Sequence, residues 1–229
     1  MAEEGEARLG GLRERKKELT RQQISTVATD LFLERGFEQV TVAEVARAAN
    51  VSTKTVFNYF ARKEDLFFDR DSEARALISR ALERRAPAET TLRALVGLAE
   101  RLAEAGHPLG RLSAAHGQYW RAVMESPTLR ARVREMAEEA ENWLAGQLAR
   151  NEGAPTPGPW PAVKAAAAVA ALRTVYGHAL GRILDGEPET AVEADYLRDL
   201  RHAFDALDRG FGAPPPEPAS AGARQATDQ

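Results

Sequence analysis

Residues 41–60, TVAEVARAANVSTKTVFNYF, hold two short helical patterns on either side of a tight turn, and their reading decides the fold. Thr41-x-x-Glu44 is a capping box that starts the first helix, with Val40 and Val45 spaced as a hydrophobic staple. The inward stripe of that helix is Val42, Val45, Ala46 and Ala49. Asn50 follows where a left-handed residue ends a helix, a conformation asparagine accepts more readily than other non-glycine residues. Ser52 can cap the next helix through its hydroxyl, and Val51 with Val56 repeats the staple spacing.

Upstream, Ile24, Ala28, Leu31 and Phe32 make one apolar face of a helix that ends at Gly36 and starts at Thr20-x-x-Gln23 or nearer Arg13. Three helices can therefore share a core. Val56 and Phe60 point inward from the third, so at ~100° per residue its outward side carries Lys54, Thr55, Phe57 and Asn58, flanked by Ser52 and Tyr59. Asparagine can pair with adenine and lysine with guanine, threonine and phenylalanine can touch thymine methyls, and hydroxyls can reach phosphate. Helix N-termini near Val42 and Thr53 also attract phosphate. A solvated helix face explains any one of these side chains as well, but it explains poorly the whole set, in which Phe57 and Tyr59 stand among polar neighbours.

In this register the sequence resembles the DNA-binding domain of the TetR family of transcriptional regulators. The resemblance rests on Ile24, Ala28, Leu31-Phe32, Gly36-Phe37, Thr41-Val42, Val45-Ala46, Ala49-Asn50-Val51-Ser52, Thr55-Val56-Phe57, Tyr59-Phe60, Lys63-Glu64 and Leu66, about the first seventy residues. It implies a three-helix head on DNA, a fourth helix leading to a ligand-binding helical body, and a homodimer that represses transcription until a small molecule binds. On matching positions it implies phosphate contacts from Thr41, Tyr59 and Lys63, and base contacts from Thr53, Lys54, Phe57 and Asn58. Arg62 departs from the small polar residue often found there, which leaves the cap of the fourth helix unassigned.

Between Arg8 and Lys63 there are eleven basic and six acidic side chains, an excess of five, whereas the chain as a whole carries −3. A basic head on an acidic body is the asymmetry expected when one end meets DNA. Arg13, Arg15, Lys16, Lys17 and Arg21 read equally as an arm on the minor groove or phosphate and as a solvated tail. With no cysteine there is no disulfide framework or thiolate site, and the composition is compatible with the cytoplasm, where we place the chain. Residues 1–7 lack the pattern of a targeting segment. The most apolar window, 162–184, contains Lys164, Arg173, His178 and Arg182, so no membrane partner is expected.

Beyond Phe60 the chain reads helical over 63–85, 89–105, 109–125, 128–150, 160–184 and 189–209, punctuated by Ala86-Pro87, Gly106-His107-Pro108, Ser126-Pro127, the loop 151–161 and Gly186-Glu187-Pro188. The expected organisation is all-α, with about nine helices. A flexible arm occupies 1–12, a helix-turn-helix domain 13–62 with its motif at about 40–60, a helical ligand-binding and dimerisation body 63–212, and a disordered tail 213–229.

The segment 160–184 is apolar on nearly every face. Its Ala165, Ala168, Val169, Leu172, Gly177 and Gly181 permit close helix approach, and the last helix offers Val192, Tyr196, Leu200, Ala203, Phe204 and Leu207. These stripes suit an intrachain core or, as the resemblance implies, a homodimer through the last two helices. A two-fold pair of heads would need pseudo-palindromic double-stranded DNA with half-sites about one turn, ~34 Å, apart. In the middle helices His116, Tyr119, Trp120, Met124, Met136 and Trp143, with Arg173, Tyr176 and His178, combine aromatic walls and polar handles suited to a small-molecule effector, although each also suits core packing. The four histidines lack metal-ligand spacing, and no cofactor motif occurs, so neither metal nor cofactor is expected.

Three functions compete: a dimeric repressor released from its operator by a small molecule, an effector-independent DNA-binding regulator, and an α-helical enzyme. The first is adopted, with an activator role open to either regulator. The enzyme lacks support, because no nucleophile elbow, catalytic carboxylate pair or catalytic residue constellation is visible.

Overall fold

The computed structural model describes the backbone of residues 2–151 and 158–211, and the side chains of residues 15–150 and 158–211. Among the described residues it contains nine α-helices, one 3-10 turn and no strand, in keeping with the all-α expectation. The head comprises α1 (Ala2–Arg35), α2 (Val42–Ala48) and α3 (Thr53–Tyr59). Helical backbone begins at Ala2, ahead of the starts that Thr20 and Arg13 offered in the sequence.

Local chemistry explains the ends of these short helices. Gly36, at φ 84°, closes α1 with its N–H on the Phe32 carbonyl (2.9 Å). Thr41 and Glu44 complete both halves of the capping box of α2. At the far end Asn50, at φ 54°, donates to the Arg47 carbonyl, and Val51 donates to that of Ala46 at 2.9 Å, a full Schellman arrangement. The Ser52 hydroxyl then accepts from the Thr55 N–H at 3.0 Å to start α3.

The expected helix over 63–85 is divided into a 3-10 turn, Glu64–Leu66, and α4 (Asp71–Glu83). The consecutive side chains Leu66 and Phe67 are both buried, and the Asp69 carbonyl is taken by the Arg21 guanidinium at 3.1 Å rather than by a continuing helix. Arg62 is capped from within this turn, its N–H donating to the Asp65 carboxylate (3.2 Å).

The body comprises α5 (Thr91–Glu104), α6 (Ala114–Glu125), α7 (Pro127–Asn151), α8 (Pro159–Leu184) and α9 (Glu189–Phe211). The helix expected from 109 begins only at Ala114. Gly110 lies so tightly on α5 that a Cβ there would stand 2.5 Å from the Leu102 carbonyl carbon, which holds the preceding loop in a turn. Two cores result. The body core joins Leu92 and Val96 of α5, Leu144 and Leu148 of α7, Ala165, Ala168, Leu180 and Ile183 of α8, and Val192, Tyr196, Leu200 and Phe204 of α9.

The α9 stripe considered for dimerisation is thus chiefly intrachain core, as are Ala165 and Ala168. On α8, Leu172 (42% exposed), Val163 (48%) and Gly177 remain on the outer face. The head core gathers Ile24, Phe32, Val45, Val56, Phe60 and Phe67, but also Val123 of α6 and Leu129 of α7. No helix among the described residues is long and apolar enough to cross a membrane. The expected tail, 213–229, lies outside the described residues.

Candidate nucleic-acid interface

Val56 and Phe60 are 1% and 2% exposed, and this burial fixes the rotation of α3. Ser52, Thr53, Lys54, Phe57 and Asn58 are consequently exposed, Phe57 at 52%. Leaving about half of the Phe57 side chain in water forgoes part of the roughly 1.5–3 kcal/mol that its full burial would contribute. Thr55 is half-buried, its hydroxyl 2.7 Å from that of Ser52. Tyr59 is half-buried against the head core but borders the same surface.

At the start of α2, Thr41 is exposed and Val42 half-buried. The Thr41 hydroxyl accepts from the Glu44 N–H at 3.2 Å and lies 2.8 Å from its carboxylate. The backbone N–H of Thr41 and the Arg35 guanidinium hold the Glu44 carboxyl down at about 2.

The Lys63 ammonium donates to the Phe37 carbonyl and lies 4.2 Å from the Phe37 ring centroid. Burial pushes this ammonium below the ordinary lysine value, against the opposing attraction of Glu38, Glu64 and Glu44. Lys63 therefore ties the segment after the recognition region to the α1–α2 loop.

The nine residues considered for an effector pocket do not converge. Arg173 and His178 are exposed on α8, on the side away from Ala168, Ala179 and Ile183, and Met124 is 60% exposed. Their exposure follows from the rotation of their helices, which turns the smaller apolar side chains to the interior. His116 is occupied by the Ser113 hydroxyl (2.8 Å) and the Pro108 carbonyl (3.1 Å). Met136 is half-buried, and Trp143 is half-buried beneath the Arg75 guanidinium, 5.7 Å from the ring centroid.

Tyr119, Trp120 and Tyr176 do come together, as a run of rings. Tyr119 stacks on Phe67 at 4.2 Å, Trp120 meets Tyr119 at 6.2 Å and Tyr176 at 5.9 Å, and Tyr176 meets Tyr196 at 6.0 Å. The Tyr119 hydroxyl donates to the Phe67 carbonyl at 2.7 Å, and burial pushes the phenol well above its usual value.

Sequence reasoning missed the polar half of this head–body junction. The Ser126 hydroxyl, 4% exposed, donates to the Glu38 carboxylate at 2.6 Å and accepts from the Leu129 N–H at 3.1 Å, capping α7. Arg62 pairs with Glu135 of α7 at 2.6 Å, and Arg132 reaches back to Asp65 at 3.3 Å. Ser126-Pro127 carried a legible cap signal, serine before a proline at the first helical position, but nothing in it named Glu38 as partner.

The head is a helix-turn-helix unit whose second helix is presented outward from a helical body. Residues 24–69 match the sequence model of the bacterial regulatory proteins of the tetR family. Over these residues the chain is similar to the DNA-binding domain of that family. It is 35% identical over 146 residues to the HTH-type transcriptional regulator TcmR of Streptomyces glaucescens, a match spanning 62% of this chain and 65% of that protein. It is 44% identical over 48 residues to the HTH-type transcriptional regulator HbdR of Aromatoleum sp. (strain CIB), 21% of each chain. The matched stretches thus span less than two thirds of either relative. A crystal structure from Mesorhizobium loti MAFF303099, assigned to the same family, superposes with a TM-score of 0.51 at 19% identity, covering 85% of this chain and 97% of that one, and shares the fold.

Proposed function

We propose that the protein is a dimeric, sequence-specific repressor that binds double-stranded DNA through α3 and is released by a small-molecule effector held in the body. The observation that carries this reading is the exposed row Thr53, Lys54, Phe57 and Asn58 on a helix locked by Val56 and Phe60. Thr53, Lys54, Phe57 and Asn58 read base edges, while Thr41, Ser52 and Tyr59 contact phosphate, with Val42 and Thr55 seating the two helix starts. Two heads act together through the outer face of α8, where Val163 and Leu172 are exposed and a Cβ on Gly177 or Gly181 would meet nothing within 4 Å. Such a face admits the closely approaching helix of a second copy, with α9 alongside.

Release follows when an effector reshapes the body beside Trp120 and Tyr176, because their rings lead through Tyr119 to Phe67 in the head core. About 1–3 kcal/mol of coupling is enough to matter. The dense contacts among Trp120, Tyr176 and Tyr196 favour a second reading, in which the body only dimerises and no effector acts. Fluorescence anisotropy on an operator duplex tests the binding reading: Lys54→Ala and Phe57→Ala retain the fold and lose about 1–3 kcal/mol of preference for the operator over random duplex. Unchanged preference in both variants removes α3 as the reader. An effector recovered by thermal-shift screening and shown to dissociate the complex separates the two readings of the body.

A further inference from the structure

A polar groove of about 290 Å³ lies beside the recognition surface, lined by Lys17, Glu18 and Arg21 of α1, Asn58 and Tyr59 of α3, and Ser72 of α4. We propose that it seats a backbone phosphate of the DNA on which α3 lies, with Lys17 as the contacting cation and Arg21 as a fixed charge at its floor. This rests on the DNA-binding reading above.

Arg21 spends its hydrogen bonds on neutral partners. Its guanidinium donates to the Tyr59 and Asp69 carbonyls, each at 3.1 Å, and stands 4.6 Å from the Phe60 ring centroid, so no carboxylate neutralises it among the described residues. One turn earlier on the same side of α1, Lys17 is exposed and makes no hydrogen bond or ion pair among the described residues. Three of the nearby acids are engaged elsewhere. The Glu18 carboxylate accepts from Gln22 along α1, Asp71 pairs with Arg75 and Glu73 with Arg70.

Two unneutralised cations and several polar groups thus face one space with a single carboxylate, that of Glu18, on its wall. Asn58 and Tyr59 belong both to this wall and to the outward side of α3. A helix in the major groove, ~12 Å wide, has a phosphate strand along each rim, and a groove beside α3 is where one such phosphate can sit.

The test is operator affinity against salt concentration for the wild-type protein, Lys17→Ala, Lys17→Arg and Lys16→Ala, the last altering an exposed lysine outside the groove. Each phosphate contact contributes ~0.9 to the slope of log K against log salt. Lys17→Ala should lower the slope by about 0.9 per bound subunit, Lys17→Arg should restore it, and Lys16→Ala should leave it near wild type. A full slope in Lys17→Ala, or equal losses in Lys17→Ala and Lys16→Ala, overturns the groove while the wild type still binds. Absence of wild-type binding to any duplex at low salt overturns the DNA reading itself.

Discussion

Asn50 turns the chain between α2 and α3 at φ 54°, and the side chain that occupies this position sets how cheaply the turn forms. Asn50→Gly is expected to preserve stability, whereas Asn50→Val should cost about 1–2 kcal/mol and lower the melting temperature by roughly 2–4 °C per kcal/mol. Lys63 works at the same scale. Because its ammonium holds the Phe37 carbonyl, Lys63→Ala should lose about 1–2 kcal/mol of stability while leaving the salt dependence of DNA binding unchanged; a reduced salt slope would return Lys63 to the phosphates.

Glu38 gives the junction a pH dependence. The Ser126 hydroxyl, then Thr128 and the Lys63 charge, hold its carboxyl below the ordinary glutamate value. A carboxyl depressed by folding contributes stability that is present above its unfolded value and is lost as pH falls through the lower, folded one. Glu38→Gln should therefore lower stability at neutral pH, flatten its fall below about pH 4.5 and converge on the wild type in acid, as thermal melts across pH will report.

Between elements, the head is completed by the body. Leu129 of α7 is 0% exposed and Val123 of α6 is 1% exposed, both within the core of α1–α3. Leu129→Ala should cost about 2–5 kcal/mol and lower hydrogen-exchange protection in α1 and α2, far away in sequence. Protection lost only in α7 would mean that the two cores are energetically separate. A Tyr119→Phe variant keeps the ring against Phe67 but leaves the Phe67 carbonyl without its 2.7 Å donor, at a cost of about 1–3 kcal/mol.

The elements differed in how far they could be read from sequence. Thr41, Asn50 and Ser52 act within three to five residues of their partners, so capping rules located α2 and α3 closely. The contributions of Val123 and Leu129 to the head, and the bond from Ser126 to Glu38, join residues far apart in sequence, where periodicity says only that a side chain is buried. The resemblance implies a phosphate contact for Lys63, and nothing in the sequence signals that its flexible four-carbon stem brings the ammonium to the Phe37 carbonyl and ring. The 3-10 turn escaped notice because Leu66 and Phe67 fit a helical pattern until the Asp69 carbonyl is claimed by Arg21.

At the scale of the whole molecule, α8 faces two ways. Ala165, Ala168 and Ile183 fill the body core, while Val163, Leu172 and Gly177 lie outside. If a second copy covers that outer face, Leu172→Glu should shift the protein to monomer in sedimentation equilibrium and weaken operator binding more than it weakens folding. A dimer that survives the substitution unchanged places the interface elsewhere. Two-fold pairing also determines what α3 reads, because each half-site is then presented twice. The most direct measurement is selection of duplexes from a random pool by the wild-type protein and by Asn58→Ala, followed by sequencing. The expected result is a two-fold symmetric sequence for the wild type and relaxed preference at one base pair in each half-site for the variant. Enrichment of nothing by the wild type, or of the same sequence with the same sharpness by both proteins, would contradict the assignment of α3 as the reading helix.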